Sequence, residues 1–185
     1  MNKTPNDRRA LILNCLTDGM SIRATSRLTG SSKGTILRLL AEVGEFCETY
    51  QYHRLRKLST TRVEADEQWS YVGTKQRNAT QPGQGDLWTF CALDADTKLV
   101  FSWLVGARSD ENTYAFVADV AGRVVNRMQL TTDGWGAYVG AVRQAVGFAR
   151  CDFAQRGKSY GQGPEAGPQT ARRDSPLPCT GAQKV

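Results

Sequence analysis

The chain has 185 residues, 40% of them hydrophobic, and a formal net charge of +6, which suits one medium domain or two small ones. No apolar run approaches the roughly 20 residues that span a bilayer, and the N-terminus lacks the order of a signal peptide, so the expected setting is the cytoplasm with no membrane partner. Five dispersed cysteines without a C-x-x-C pair, and a single histidine, His53, argue against a disulfide framework, a structural zinc site and a histidine-dependent hydrolase.

Charge divides the chain. Residues 1–62 hold eleven Lys and Arg against five Asp and Glu, whereas residues 63–185 hold thirteen of each sign. A basic first third joined to a neutral remainder points to phosphate contacts by the first part; a solvated basic face is the plain alternative. Asn6 or Asp7 can cap a helix over Arg8–Leu16, stopped by Asp18-Gly19. Ser21 opens a second, Ile22–Thr29, which ends at Gly30. Ser31 or Ser32 caps a third from about Lys33 towards Tyr50, with Leu37, Leu40 and Gly44 on one side and Ile36, Leu39 and Val43 close by. Three short-looped helices over residues 1–50 suggest a helix-turn-helix domain. Lys33, Thr35 and Arg38 on the third helix, with Arg23 and Arg27 on the second, would then lie nearest DNA. A three-helix bundle with a basic surface is the alternative. Residues 51–61, with His53, Arg54, Arg56 and Lys57, read as a basic linker.

Arg62–Gly73 alternates in the manner of a strand and carries three carboxylates. Glu64 and Asp66 fall on one face and Glu67 on the other. These are either ordinary acids of an edge strand or, at Asp66, part of a metal site. A loop over Thr74–Asp86 follows, then strands Leu87–Leu93 and Leu99–Val105 joined by the turn Asp94-Ala95-Asp96-Thr97, where the two Asp side chains suit turn chemistry. Ser109 or Asp110 caps a helix to about Arg127, a strand Met128–Thr132 ends at Asp133-Gly134, and Trp135–Val146 reads as a helix. The order β-β-β-α-β-α over residues 62–150 is an α/β or α+β pattern whose fourth strand joins the sheet by a crossover. Trp69, Trp88 and Trp103 are expected in the core or on a sheet face. Residues 151–185 are rich in Gly and Pro, with scattered apolar residues, and read as a disordered tail.

Several of these segments, taken in order, resemble transposases of the insertion-sequence-one type: Ser21-Ile22-Arg23-Ala24-Thr25-Ser26-Arg27, Asp66-Glu67-Gln68-Trp69-Ser70-Tyr71-Val72, Ala92-Leu93-Asp94-Ala95-Asp96-Thr97-Lys98 and Leu130-Thr131-Thr132-Asp133-Gly134. The resemblance implies a helix-turn-helix that binds the element's terminal inverted repeats in double-stranded DNA. It also implies a ribonuclease-H-like catalytic domain of the DDE class, acting as a homo-oligomer at the bacterial nucleoid. Asp66 and Asp133 match the first two acids of that class, on neighbouring strands. Two Mg²⁺ ions held by such acids make an attacking oxygen nucleophilic and stabilise the leaving oxygen of a phosphodiester.

The third acid of the family, a Glu within a Ser-Phe-Val-Glu-Arg-like motif on a later helix, has no counterpart before Val185, and the last strand and final helix are expected to be missing. Glu165 lies among Gly161, Gly163, Pro164, Gly167 and Pro168, which no rigid helix accommodates, so it receives no catalytic role. The two-ion site is therefore expected to be incomplete, and the chain to be a truncated transposase inactive alone. Two other readings stand beside it: a catalytically dead DNA-binding protein or repressor derived from a transposase, and an unstable remnant whose exposed apolar surface invites aggregation.

Overall fold

The computed structural model describes residues 4–147 and 149–156, with the backbone of Lys158–Ser159 and Arg172–Arg173. The chain divides into two compact units, Met1–Arg54 and Leu55–Val185. The first holds α1 (Asn6–Thr17), α2 (Ile22–Thr29) and α3 (Lys33–Arg54). Ile12, Ile36 and Leu39 form its buried centre, flanked by Leu13, Leu16, Ile22 and Val43. Local chemistry sets the turns. Ser21 Oγ accepts the Ala24 N–H at 3.2 Å, and Ser32 Oγ accepts the Thr35 N–H at 3.1 Å; each satisfies a donor that a helix start leaves open. Gly30 ends α2 at φ 66°, a left-handed conformation without penalty for a residue lacking Cβ.

Three sequence expectations change in this unit. Neither Asn6 nor Asp7 caps α1, because the helix already begins at Asn6 behind Pro5, with no side-chain cap, and the Pro5 carbonyl accepts the Arg9 N–H. The buried stripe of α3 is Ile36 and Leu39, while Leu37 and Leu40 face solvent at 53% and 44% exposure. The helix also continues through Arg54, past the expected end at Tyr50, so residues 51–54 are helical.

The second unit contains β1 (Arg62–Val72), β2 (Gly85–Asp94), β3 (Val100–Gly106), α4 (Asp110–Arg123), β4 (Met128–Asp133), α5 (Ala137–Ala145) and β5 (Cys151–Arg156). The sheet order is β3-β2-β1-β4-β5. β1, β2 and β3 form an antiparallel meander, whereas β4 runs parallel to β1 and β5 parallel to β4. Among the described residues the protein is therefore mixed α/β, with five α-helices, a five-stranded sheet and a two-stranded antiparallel pairing of Lys158–Ser159 with Arg172–Arg173. Alternation places Val63 and Ala65 of β1, Phe90 and Ala92 of β2, and Met128 and Leu130 of β4 in one core with Phe116, Val117 and Val120 of α4 and Tyr138 and Val142 of α5. The Phe90 and Phe116 ring centroids lie 5.5 Å apart, and burial of each such ring stabilises the fold by about 1.5–3 kcal/mol. Ser109 caps α4 by accepting the Asn112 N–H. In the β2–β3 turn, Asp94 Oδ1 accepts the N–H groups of Asp96 and Thr97 at 2.8 and 3.3 Å, which accords with turn chemistry for that acid.

β5 corrects the expectation that the sheet stops at β4. It pairs with β4 from Met128↔Cys151 to Asp133↔Arg156. Cys151, Phe153 and Ala154 are buried, because this strand closes the core beside β4. No helix among the described residues is long and apolar enough to cross a membrane.

Candidate active site

β1 and β4 run side by side and then part. Their pairing covers only Arg62–Glu64 of β1, opposite Gln129–Thr131, although β1 itself continues to Val72 against β2. Asp66 and Glu67 of β1 and Asp133, the last residue of β4, stand in the resulting fork. Each offers a carboxylate oxygen, and these atoms all lie within 4.8 Å of one another. Adjacent side chains on a strand alternate in direction, and Asp66 is exposed while the Glu67 side chain is fully buried. They nevertheless converge. Asp66 Oδ1 accepts the Glu67 N–H at 2.9 Å, which folds the Asp66 carboxylate back along the strand towards its neighbour.

The turn after β4 is held from two sides. Asp133 Oδ1 accepts the Trp135 N–H at 3.0 Å, and Gln155 of β5 donates Nε2 to the carbonyls of Asp133 and Trp135 at 3.1 and 3.0 Å. Asp133 is thus fixed by its own strand end and by β5. The last sheet strand, absent from the sequence reading, is part of what positions the site.

Arg108, between β3 and α4, closes the cluster. Its Nε and Nη2 donate to Glu67 Oε2 at 3.1 and 2.8 Å, and Nη2 also reaches Asp133 Oδ2 at 2.8 Å. The guanidinium carbon lies 4.7 Å from the Trp88 ring centroid and 4.4 Å from that of Trp135, so aromatic faces add to charge-assisted hydrogen bonds. Trp135 is oriented in turn by its Nε1, which donates to Thr113 Oγ1 at 3.2 Å.

Glu67 Oε1 and the Tyr138 hydroxyl are both buried, and the phenol supports the Glu67 carboxylate as a hydrogen-bond neighbour. Burial pushes the Glu67 carboxyl above its ordinary range; a hydrogen bond from the Tyr138 hydroxyl pulls it back, Asp133 raises it, and Arg108 lowers it. Burial, reinforced by Glu67, pushes the Tyr138 phenol far up, so it stays protonated at physiological pH. Burial and Asp66 likewise raise the thiol of Cys91, the residue paired with Asp66 across β1 and β2. A protonated thiol is a poor nucleophile. What remains for chemistry is a set of carboxylate oxygens, the donors that hard divalent cations prefer.

Asp66 and Asp133, singled out from the sequence, thus come together. Glu67, expected on the face opposite Asp66, hydrogen-bonds Arg108 and also joins the other two acids. Arg108 was missed, since one basic residue in a loop forms no pattern. In the first unit Arg23, Arg27, Lys33 and Arg38 are exposed on α2 and α3. Thr35 is half-buried, with its hydroxyl 2.9 Å from Ser32 Oγ. Glu165 lies outside the described residues.

Three comparisons bear on relationship. The crystal structure of A. aeolicus Argonaute overlaps 64% of this chain and 17% of its own at 10% identity and a TM-score of 0.32, a likeness too slight to support an argument. The insertion element iso-IS1n protein InsB of Shigella dysenteriae is 35% identical over 75 residues, covering 40% of this chain and 50% of that protein, so the chain spans about half the length of this curated relative. A sequence family described as IS1 transposase matches residues 60–160, more than half the chain and the whole stretch from β1 to β5 that assembles the carboxylate fork. On that match, the chain belongs to the IS1 transposase family.

Proposed function

We propose that the second unit holds Mg²⁺ through Asp66, Glu67 and Asp133 and acts on DNA phosphodiesters in transposition. The observation that carries this reading is the convergence of three carboxylate oxygens within 4.8 Å in a chain of the IS1 transposase family. The residues fit a hard cation. All the donors are carboxylate oxygens within 4.8 Å of one another, the donor chemistry that a hard cation prefers. When bound, such a cation acts as a Lewis acid on a phosphoryl oxygen and generates the attacking nucleophile. The chain's own part is to hold the acids in register through β1 and β4, to fix Asp133 through Trp135 and Gln155, and to keep Tyr138 neutral beside Glu67.

This reading takes the second unit as ribonuclease-H-like, a view supported by β1 and β4 being neighbours. It takes α1–α3 as a helix-turn-helix that binds the terminal inverted repeats of an insertion element, with Arg23, Arg27, Lys33 and Arg38 towards the phosphate backbone. A homo-oligomer working at the nucleoid completes it. One observation favours a second reading, that of a DNA-binding protein without cleavage activity: Arg108 already engages Glu67 and Asp133.

Titration of the purified chain with Mg²⁺ in the presence of a labelled inverted-repeat duplex, following retardation and strand cleavage together, separates the two. Cleavage that disappears in Asp66→Ala and Asp133→Ala is the expected result. Retardation with no cleavage at any Mg²⁺ concentration overturns the catalytic reading and leaves the binding one.

A further inference from the structure

Arg108 occupies the oxygens that a cation needs. Its Nη2 bridges Glu67 Oε2 and Asp133 Oδ2, both at 2.8 Å, and a cation drawn to the same oxygens meets a fixed positive charge. That charge does not leave by deprotonation, because a guanidinium keeps its proton throughout the accessible pH range. It can leave only by moving. The side chain is one-quarter exposed, belongs to the connection between β3 and α4, and also lies over the ring faces of Trp88 and Trp135.

We propose that Arg108 and a divalent cation exclude one another at Glu67 and Asp133, the guanidinium holding the place of the cation until the cation displaces it. The inference rests on the metal-site reading given above. It makes Arg108 a positioning residue that sets how tightly the fork takes its cation.

The test uses the full chain as wild type, Arg108→Gln, Arg108→Lys and Asp133→Asn, with folding checked by circular dichroism. Mn²⁺ serves as the probe, its binding followed by the free-ion paramagnetic resonance signal and by calorimetry. Removal of the competing charge in Arg108→Gln is expected to tighten Mn²⁺ binding by roughly tenfold or more, a typical size for coupling between two ligands. Arg108→Lys, which keeps the charge but cannot fork between two carboxylates, falls between the two and carries the comparison if Arg108→Gln does not fold. In a Trp69→Phe, Trp103→Phe background, diamagnetic Mg²⁺ changes the emission of Trp88 and Trp135 as the guanidinium leaves their faces; with Arg108→Gln added, that change is absent. Equal or weaker Mn²⁺ binding by Arg108→Gln, with binding abolished in Asp133→Asn, overturns the inference and leaves the metal site standing. No Mn²⁺ bound by any form overturns the metal-site reading itself and the inference with it.

Discussion

Two nitrogens of Arg108 converge on one oxygen of Glu67, at 2.8 and 3.1 Å, in a position where the glutamate side chain has no solvent exposure at all. Such a pair is strongly asymmetric under mutation, because removal of one partner strands the other's charge in a dry site. Arg108→Ala is expected to cost about 3 kcal/mol of unfolding free energy, and the double variant Glu67→Gln, Arg108→Gln to recover much of it. A urea-denaturation cycle measures the coupling; independent, additive effects exclude the pair as a mutual support.

The pH response of Glu67 has a definite sign. Burial raises its pKa in the folded chain, so the folded state binds the proton more tightly than the unfolded one, where Glu titrates near ~4.3. The stability associated with this proton is fully present below the unfolded pKa and is lost as pH rises through the folded pKa. Glu67→Gln cannot ionise. Wild type should therefore lose thermal stability relative to Glu67→Gln as pH is raised from about 4 to about 7, and melting curves of the two at matched pH test this. A difference that is flat or grows in the wild type's favour contradicts it. Asp94 and Asp152 have depressed pKa values, set by the Asp96 N–H and by Arg127 respectively. They act in the opposite direction but equally in both proteins, so they cancel in the comparison.

β5 carries its own test. Phe153 is 8% exposed and packs in the main core, and Phe153→Ala is expected to destabilise the second unit by about 3 kcal/mol or more. An unchanged melting midpoint removes β5 from the folded structure.

Much of the architecture was legible in the residues themselves. Alternation along β1 separated Glu67 from Asp66, Ser109 and Gly30 marked helix ends, and Asp94 announced its turn. β5 was not legible because Asp152, Gln155 and Arg156 are polar and the strand opens a region of different composition; the signal lay in Cys151 and Phe153, which alternate as Met128 and Leu130 do. The meeting of the β1 acids with Asp133 was hidden for a different reason. A strand's period predicts faces, whereas the fork arises where β4 stops pairing with β1, and that point depends on the length of a partner strand distant in sequence.

Exposed cations on α2 and α3 give a prediction independent of the carboxylates. If Arg23, Arg27 and Arg38 contact phosphates, each replacement by Ala weakens binding to any duplex similarly and lowers the slope of log K against log salt by about 1. Fluorescence anisotropy over a salt series measures that slope. An unchanged slope in the triple variant places the DNA-binding surface elsewhere.

The strand order also dictates when the fork exists during folding. Asp66 and Glu67 lie on a meander whose partners β2 and β3 follow directly in sequence, and local pairings of this kind close with little loss of chain entropy. Asp133 arrives only after α4 has crossed over, on a strand that meets β1 through just three residue pairs. The acidic cluster is therefore expected to be completed late in folding, once the strand that carries its third acid has joined a meander that already holds the other two.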